Sequence, residues 1–186
     1  IDIRNYNIKE YMELFSVVFQ DSRLFSFPLA ENVAASMEYD DEKVVDCVNR
    51  SGLGDRLQAM PDGIRTCLYK DFDENGVEIS GGEAQKLTLA RAIYKGSPFV
   101  MLDEPTAALD PVAENEIYVK FNEMVGTRTA IYISHRLSSC CFCDDIMVLD
   151  KGRLIERGTH EELVKREGVY SQMWQVQSEY YRGNLA

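Results

Sequence analysis

Apolar positions along the chain change spacing repeatedly, and the changes mark the elements. Val17-Val18-Phe19-Gln20 is a short apolar run that reads as a buried strand ending in a polar residue. A loop from Asp21 to Pro28 follows, and helical spacing then begins at Glu31 to Met37. Asp40 to Ser51 predicts a second helix: Val44, Cys47 and Val48 share one face, and Gly52 suits its C-terminal end. Pro61-Asp62-Gly63 marks a turn, and Asp71 to Gly76 an acidic loop that closes in Asn75-Gly76. A longer helix runs through Ala84, Leu87, Ala90 and Ile93, so residues 31–95 read as mostly helical.

The second half alternates strands with helices. Phe99 to Leu102 has no polar alternation, as expected of a strand covered on both faces. Pro111 suits the first turn of a helix whose Ile117, Phe121, Met124 and Val125 make one apolar stripe. Ala130-Ile131-Tyr132-Ile133 reads as a second buried strand, ending in Ser134-His135. Ile146 to Leu149 and Arg153 to Glu156 flank Asp150-Lys151-Gly152, a hairpin signal. Thr159 and Glu162 have capping-box spacing ahead of a last helix through Leu163 and Val164. The alternation predicts an α/β layer built on a largely parallel sheet.

Composition narrows the reading. The 186 residues suffice for a substantial core. A net charge of -11 argues against a surface that tracks nucleic-acid phosphates. No apolar run reaches membrane-spanning length. The opening Ile1-Asp2-Ile3-Arg4 has neither an initiator Met nor a leader pattern, so the expectation is a piece of a longer protein. Cys140, Cys141 and Cys143 cluster downstream of His135, but their spacing matches no standard zinc knuckle, which favours packing over a metal site.

Candidate chemistry gathers at four places. Asp103 and Glu104 end an apolar strand, where ligands of parallel sheets collect; an Asp there can hold Mg2+, and the Glu can deprotonate a water. Ser80-Gly81-Gly82-Glu83 opens a helix, so free amides, the helix dipole and a hydroxyl make an anion site there; the alternative is a plain serine N-cap. Gln20 and His135 each follow a predicted strand; the first can reach a metal or water, the second can donate to a γ-phosphate. Against this, none of the 12 glycines lies in a Gly-x-x-x-x-Gly-Lys-Ser/Thr phosphate loop.

In this order the motifs resemble the nucleotide-binding domain of ATP-binding-cassette (ABC) transporters, over nearly the whole chain. Gln20 is similar to that family's Q-loop glutamine, a metal and water contact. Ile79 to Glu83 resembles its Leu-Ser-Gly-Gly-Gln signature, with Glu83 adding a negative charge beside a phosphate site. Phe99 to Asp103 resembles the Walker B strand, Glu104 the catalytic carboxylate, Ala108-Leu109-Asp110 the D-loop and His135 the switch histidine. Asp73-Glu74-Asn75-Gly76 resembles the loop of exporters that touches the membrane domain, and Gly158 to Leu163 and Tyr170 to Gln175 also look exporter-like.

The resemblance implies a partial P-loop NTPase core with a parallel sheet and an α-helical signature subdomain. It divides the chain into residues 1–30 ending in the Q-loop, a helical subdomain over 31–95, the second half of the core over 96–160, and a C-terminal helix over 161–186. It implies ATP and Mg2+ as cofactors, with Asp103 and Gln20 on the metal. Glu104 and His135 are then catalytic, Ser80, Gly81, Gly82 and Glu83 contact the ATP of an opposing domain, and Asp110 couples the two sites. The implied partners are a transmembrane domain and a second nucleotide-binding domain, with no nucleic acid, on the cytoplasmic side of a membrane. The P-loop and the adenine-stacking aromatic residue of the family are missing, so the chain is expected to bind ATP poorly and to be inactive alone. Loss of the P-loop strand is further expected to leave unpaired sheet edges, with dimerisation through them or an altered core. A non-hydrolytic interaction module and a DNA-repair type of ABC ATPase are the alternatives; the acidic charge and the lack of a coiled-coil insertion disfavour the latter.

Overall fold

The structure is a computed structural model that describes residues 2–105, 118–123 and 125–183. It divides at Ile133/Ser134 into two compact units.

The first unit is built on a parallel three-stranded sheet, β1 (Phe15–Val18), β2 (Phe99–Asp103) and β3 (Thr129–Ile133), in the order β1-β2-β3. The register sets Val18 opposite Leu102 and Asp103 opposite Ile133. Ahead of β1, the short helix α1 (Ile8–Glu13) is capped by the Asn7 side chain. Between β1 and β2 stand α2 (Leu29–Ala34), α3 (Asp41–Arg50), α4 (Gly54–Gln58) and α5 (Gly81–Lys95). Asp40 caps α3 and the face Val44, Cys47, Val48 is buried, as the periodicity predicted. Those residues pack with Leu29 and Val33 of α2 and Leu87, Leu89 and Ala90 of α5 in one core. That core also takes in Val18, Val100 and Leu102 of the sheet and the helical residues Tyr118 and Phe121. Gly96 ends α5 at φ +67, a left-handed conformation that glycine adopts without steric cost, and the chain turns into β2.

Three expectations shift. The first strand is Phe15–Val18, two residues earlier than its apolar run indicated, because Phe19 and Gln20 already turn away: Ser22 N–H donates to Phe19 C=O at 3.2 Å. The helix expected from Glu31 to Met37 runs instead from Leu29 to Ala34, where Ala35 takes φ +53 and stops it. The strands read as buried on both faces are not. In β2 Val100 and Leu102 are buried, while Phe99 is 37% exposed. In β3 Ile131 and Ile133 are 46% and 50% exposed. Among the described residues β3 pairs on one side only, which leaves an edge that an apolar run cannot announce.

The acidic loop is held shut at its base. Tyr69 N–H donates to Val77 C=O at 2.9 Å and Val77 N–H to Cys67 C=O at 3.0 Å. A Cβ on Gly76 would lie 1.8 Å from the Tyr69 carbonyl oxygen, so only glycine fits there. Phe72, inside the loop, is 83% exposed, and Ser26 of the segment after Gln20 donates to Asp71.

The second unit carries the hairpin β4 (Ile146–Asp150) and β5 (Arg153–Gly158), antiparallel as its turn signal predicted. Lys151 and Gly152 both have positive φ (+48 and +74), the backbone that a two-residue hairpin turn demands. Helix α6 (His160–Lys165) starts with the expected Thr159–Glu162 capping box. Helix α7 (Val169–Gly183) receives its first amides on the Glu156 carboxylate, at 2.6 Å from Val169 N and 3.1 Å from Tyr170 N. Leu137, Ile146, Leu163 and Tyr170 form the core of this unit, with Cys140 and Cys143 packed against it. Burial pushes the Cys143 thiol up to about 11, the behaviour of a packing residue rather than a nucleophile. Cys141, the exposed member, has its sulfur 3.8 Å from the His160 ring nitrogens.

Candidate functional site

Parallel strands deliver their following residues to the same end of a sheet, and this sheet uses that rule for three of the candidate residues. Gln20 lies two residues beyond β1, Asp103 closes β2, and Glu104 follows it directly. Ser22 braces the turn that carries Gln20 by accepting the Phe19 N–H on its hydroxyl at 3.1 Å. Asp103 and Glu104 are half-buried and Gln20 is exposed. The Glu104 backbone is unusual: φ is +45, and its N–H donates across to Ile133 C=O at 2.9 Å. A β-carbon makes that conformation cost about 1–2 kcal/mol, and such costs concentrate at working residues.

The signature turn is built differently. Ser80 is the N-cap of α5, its hydroxyl accepting Glu83 N–H at 3.3 Å. The Glu83 carboxylate returns to accept Ser80 N–H at 2.9 Å, completing a capping box. Glu83 also lies 2.9 Å from Arg56 Nε of α4. The same guanidinium donates through Nη2 to Glu78 C=O at 3.2 Å, so it touches both flanks of the turn. Gly81 is exposed, and a Cβ built on it meets nothing within 4 Å. An oxyanion can therefore approach its amide without obstruction.

His135 belongs to the second unit, one residue after that unit begins, and is exposed. Its loop is clamped from α7: Gln177 Nε2 donates to His135 C=O at 2.7 Å, and Gln177 Oε1 accepts Leu137 N–H at 2.9 Å. Ser134 closes the near side by accepting Arg136 N–H at 2.9 Å. Asp110 lies outside the described residues.

The model of the family described as ABC transporter matches residues 1–107. The chain belongs to this family. It is 37% identical over 179 residues to an ATP-dependent lipid A-core flippase of Methylobacillus flagellatus, covering 95% of this chain and 30% of that protein. To heavy metal tolerance factor 1 of Caenorhabditis elegans it is 35% identical over 178 residues, 95% of this chain and 22% of the relative. Among solved structures it superposes on a bacterial Atm1-family ABC exporter with ATP bound, with a TM-score of 0.84 and 32% identity over 95% of this chain and 30% of that one. The chain thus spans about a third or less of the relatives it matches, and its α/β architecture with a parallel sheet is that of the exporter ATPase.

Do the residues present fit the nucleotide and metal that the family implies? The donors Asp103 and Gln20 are hard oxygens at a shared sheet end, the ligand type that Mg2+ takes. The open Gly81 amide at the start of a capped helix fits a phosphate oxygen. Two supporting residues escaped the sequence reading. The Ser80-x-x-Glu83 spacing matches that of Thr159-x-x-Glu162 and signals the capping box, whereas no local spacing leads to Arg56 or Gln177, which arrive through tertiary packing.

Proposed function

We propose that this chain is the ATPase cassette portion of an exporter-type ABC transporter, whose ATP hydrolysis powers movement of a substrate across a membrane. The observation that carries this reading is the convergence of Gln20, Asp103 and Glu104 at one end of a parallel sheet, with Glu104 held at φ +45. In this reading Asp103 and the Gln20 amide oxygen hold Mg2+. The metal, when bound, neutralises charge on the phosphates and orients the leaving group. The Glu104 carboxylate takes a proton from the attacking water. His135 donates a hydrogen bond to the γ-phosphate, with Gln177 fixing the backbone from which it projects. Ser80, Gly81 and Gly82 face the ATP of a second cassette, and Asp110 couples the two sites.

The acidic loop and the segment after Gln20 form the surface for a transmembrane domain. Exposed Phe19, Phe25, Phe27 and Phe72 cluster on these segments, and exposed apolar groups on neighbouring loops mark interaction sites. No described helix is long and apolar enough to cross a membrane, so that domain would be a separate segment or chain on whose cytoplasmic side the cassette sits. With no Gly-x-x-x-x-Gly-Lys-Ser/Thr loop in its sequence, the chain alone binds ATP weakly and hydrolyses it little.

The test mixes this chain with an intact ABC cassette domain and measures Mg2+-dependent ATP hydrolysis. The reading expects hydrolysis above that of the intact domain alone, a gain lost when Ser80, which faces the partner's ATP, is replaced. A second reading is a non-hydrolytic module that regulates an intact partner. It expects the partner's rate to change identically with wild-type chain and with Ser80→Ala.

A further inference from the structure

We propose that Arg56 is a positioning residue for the signature turn, one that holds Glu83 as half of an ion pair so that the Gly81 and Gly82 amides present their positive ends without a free carboxylate beside them. The phosphate role of those amides rests on the reading given under Proposed function; the positioning itself does not. The turn has an electrostatic problem. The N-terminal end of α5 attracts anions, and Glu83, in its first turn, is an anion already there. Left unpaired, that carboxylate competes with an incoming phosphate for the amides and repels it at short range.

Arg56 answers both difficulties with one planar group. Nε lies 2.9 Å from Glu83 Oε1, while Nη2 donates to Glu78 C=O at 3.2 Å, on the opposite flank of Ser80. A guanidinium reaches two directions at fixed spacing, whereas a lysine ammonium on a flexible stem does not. The pair is partly shielded, with the Arg56 and Glu83 side chains 35% and 25% exposed. The platform is rigid too: Leu53 and Leu57, on either side of Arg56, are buried in the core of the unit. Glu83 is thereby consigned to the cap, where it accepts Ser80 N–H, and the exposed Gly81 amide stays open.

The test uses the full chain and the variants Arg56→Gln, Arg56→Lys, Glu83→Gln and Arg56→Gln/Glu83→Gln. Amide hydrogen exchange at Ser80 and Glu83 without nucleotide reads the positioning. Displacement of the Gly81 and Gly82 amide signals by millimolar MgATP, with an intact ABC cassette domain present to hold the nucleotide, reads the electrostatics. Arg56→Gln is expected to speed exchange and to weaken the MgATP response, each by about tenfold, the scale of one charged hydrogen bond. Arg56→Lys, which keeps charge and fold, is expected to preserve the MgATP response but to speed exchange, because Glu78 loses its donor. Glu83→Gln in the Arg56→Gln background is expected to restore the MgATP response to within about twofold, since a neutral Gln needs no counter-charge. Exchange unchanged in Arg56→Gln overturns the proposal. So does a double variant as weak toward MgATP as Arg56→Gln, which would assign Arg56 to packing alone. Wild-type Gly81 and Gly82 signals that ignore MgATP would instead refute the signature reading, while the exchange series would still decide the positioning.

Discussion

The signature turn and the strand-end acids are assembled by opposite means. Around Ser80 every approach is braced by side chains: a reciprocal capping box, an ion pair to Arg56, and a guanidinium bond to Glu78. Around Glu104 a backbone hydrogen bond to Ile133 ties the turn to the end of the sheet, and the backbone is strained. A surface that must present amides to an outside ligand gains from being rigid before the ligand arrives. On the proposed function, a carboxylate that removes a proton gains from an unusual backbone that aims it, even at some cost in stability. The two sites therefore differ in what their mutation should disturb.

The largest effect should come from the acids. Glu104→Gln removes the proton acceptor while keeping shape and backbone. With the phosphate-loop segment of an intact cassette fused ahead of the chain, so that its own site holds ATP, hydrolysis should fall by about a hundredfold or more. The thermal midpoint of the chain should hardly move, because the substitution leaves φ and the Ile133 bond as they are. A large drop in stability would show that Glu104 is a structural residue, and the contrast between the two sites would collapse.

Next in size is the clamp on the switch-histidine loop, a third design in which a distant helix holds a loop by one amide. Gln177→Ala removes two hydrogen bonds, to His135 C=O and from Leu137 N–H, and should cost about 1–2 kcal/mol in urea unfolding. Gln177→Glu keeps the acceptor for Leu137 but loses the donor to His135, and should cost about half as much. Equal costs for both would mean that only the His135 bond carries weight.

Ser80→Ala tests the braced site at its cap. Loss of the hydroxyl acceptor for Glu83 N–H should cost about 1 kcal/mol of stability by urea titration. Unlike Glu104→Gln, it should lower stability and the mixed-assembly rate together, because rigidity and presentation are one property at that turn.

Local patterns made the frame readable: the α3 face, the hairpin turn at Lys151-Gly152 and the Thr159 cap all follow from residues close in sequence. The order Gln20, Ser80, Asp103-Glu104 was readable for the same reason, as each is a strand or helix end marked by its neighbours. Edges and braces were not. An apolar run such as Ala130 to Ile133 has the same pattern whether one or two strands flank it, so the exposure of Ile131 and Ile133 could not be read from it. Glu83 read as a charge liability because its partner Arg56 sits on another helix, and Gln177 lies far along the chain from the loop it holds.

The smallest effect sharpens the comparison most, because its sign is unusual for a substitution at a working residue. Asn tolerates the left-handed region that Glu104 occupies at φ +45 better than Glu does. Glu104→Asn should therefore raise stability by about 0.5–1 kcal/mol while removing the proposed proton acceptor, and Glu104→Gln, whose longer side chain lacks Asn's local hydrogen bonding to the backbone, should raise it by nothing measurable. Urea unfolding of the three proteins side by side decides it. A gain for Asn alone identifies backbone strain retained for function. Equal stabilities would mean that the turn relaxes to suit its residue, and that the strand end is no more strained than the signature turn it was set against.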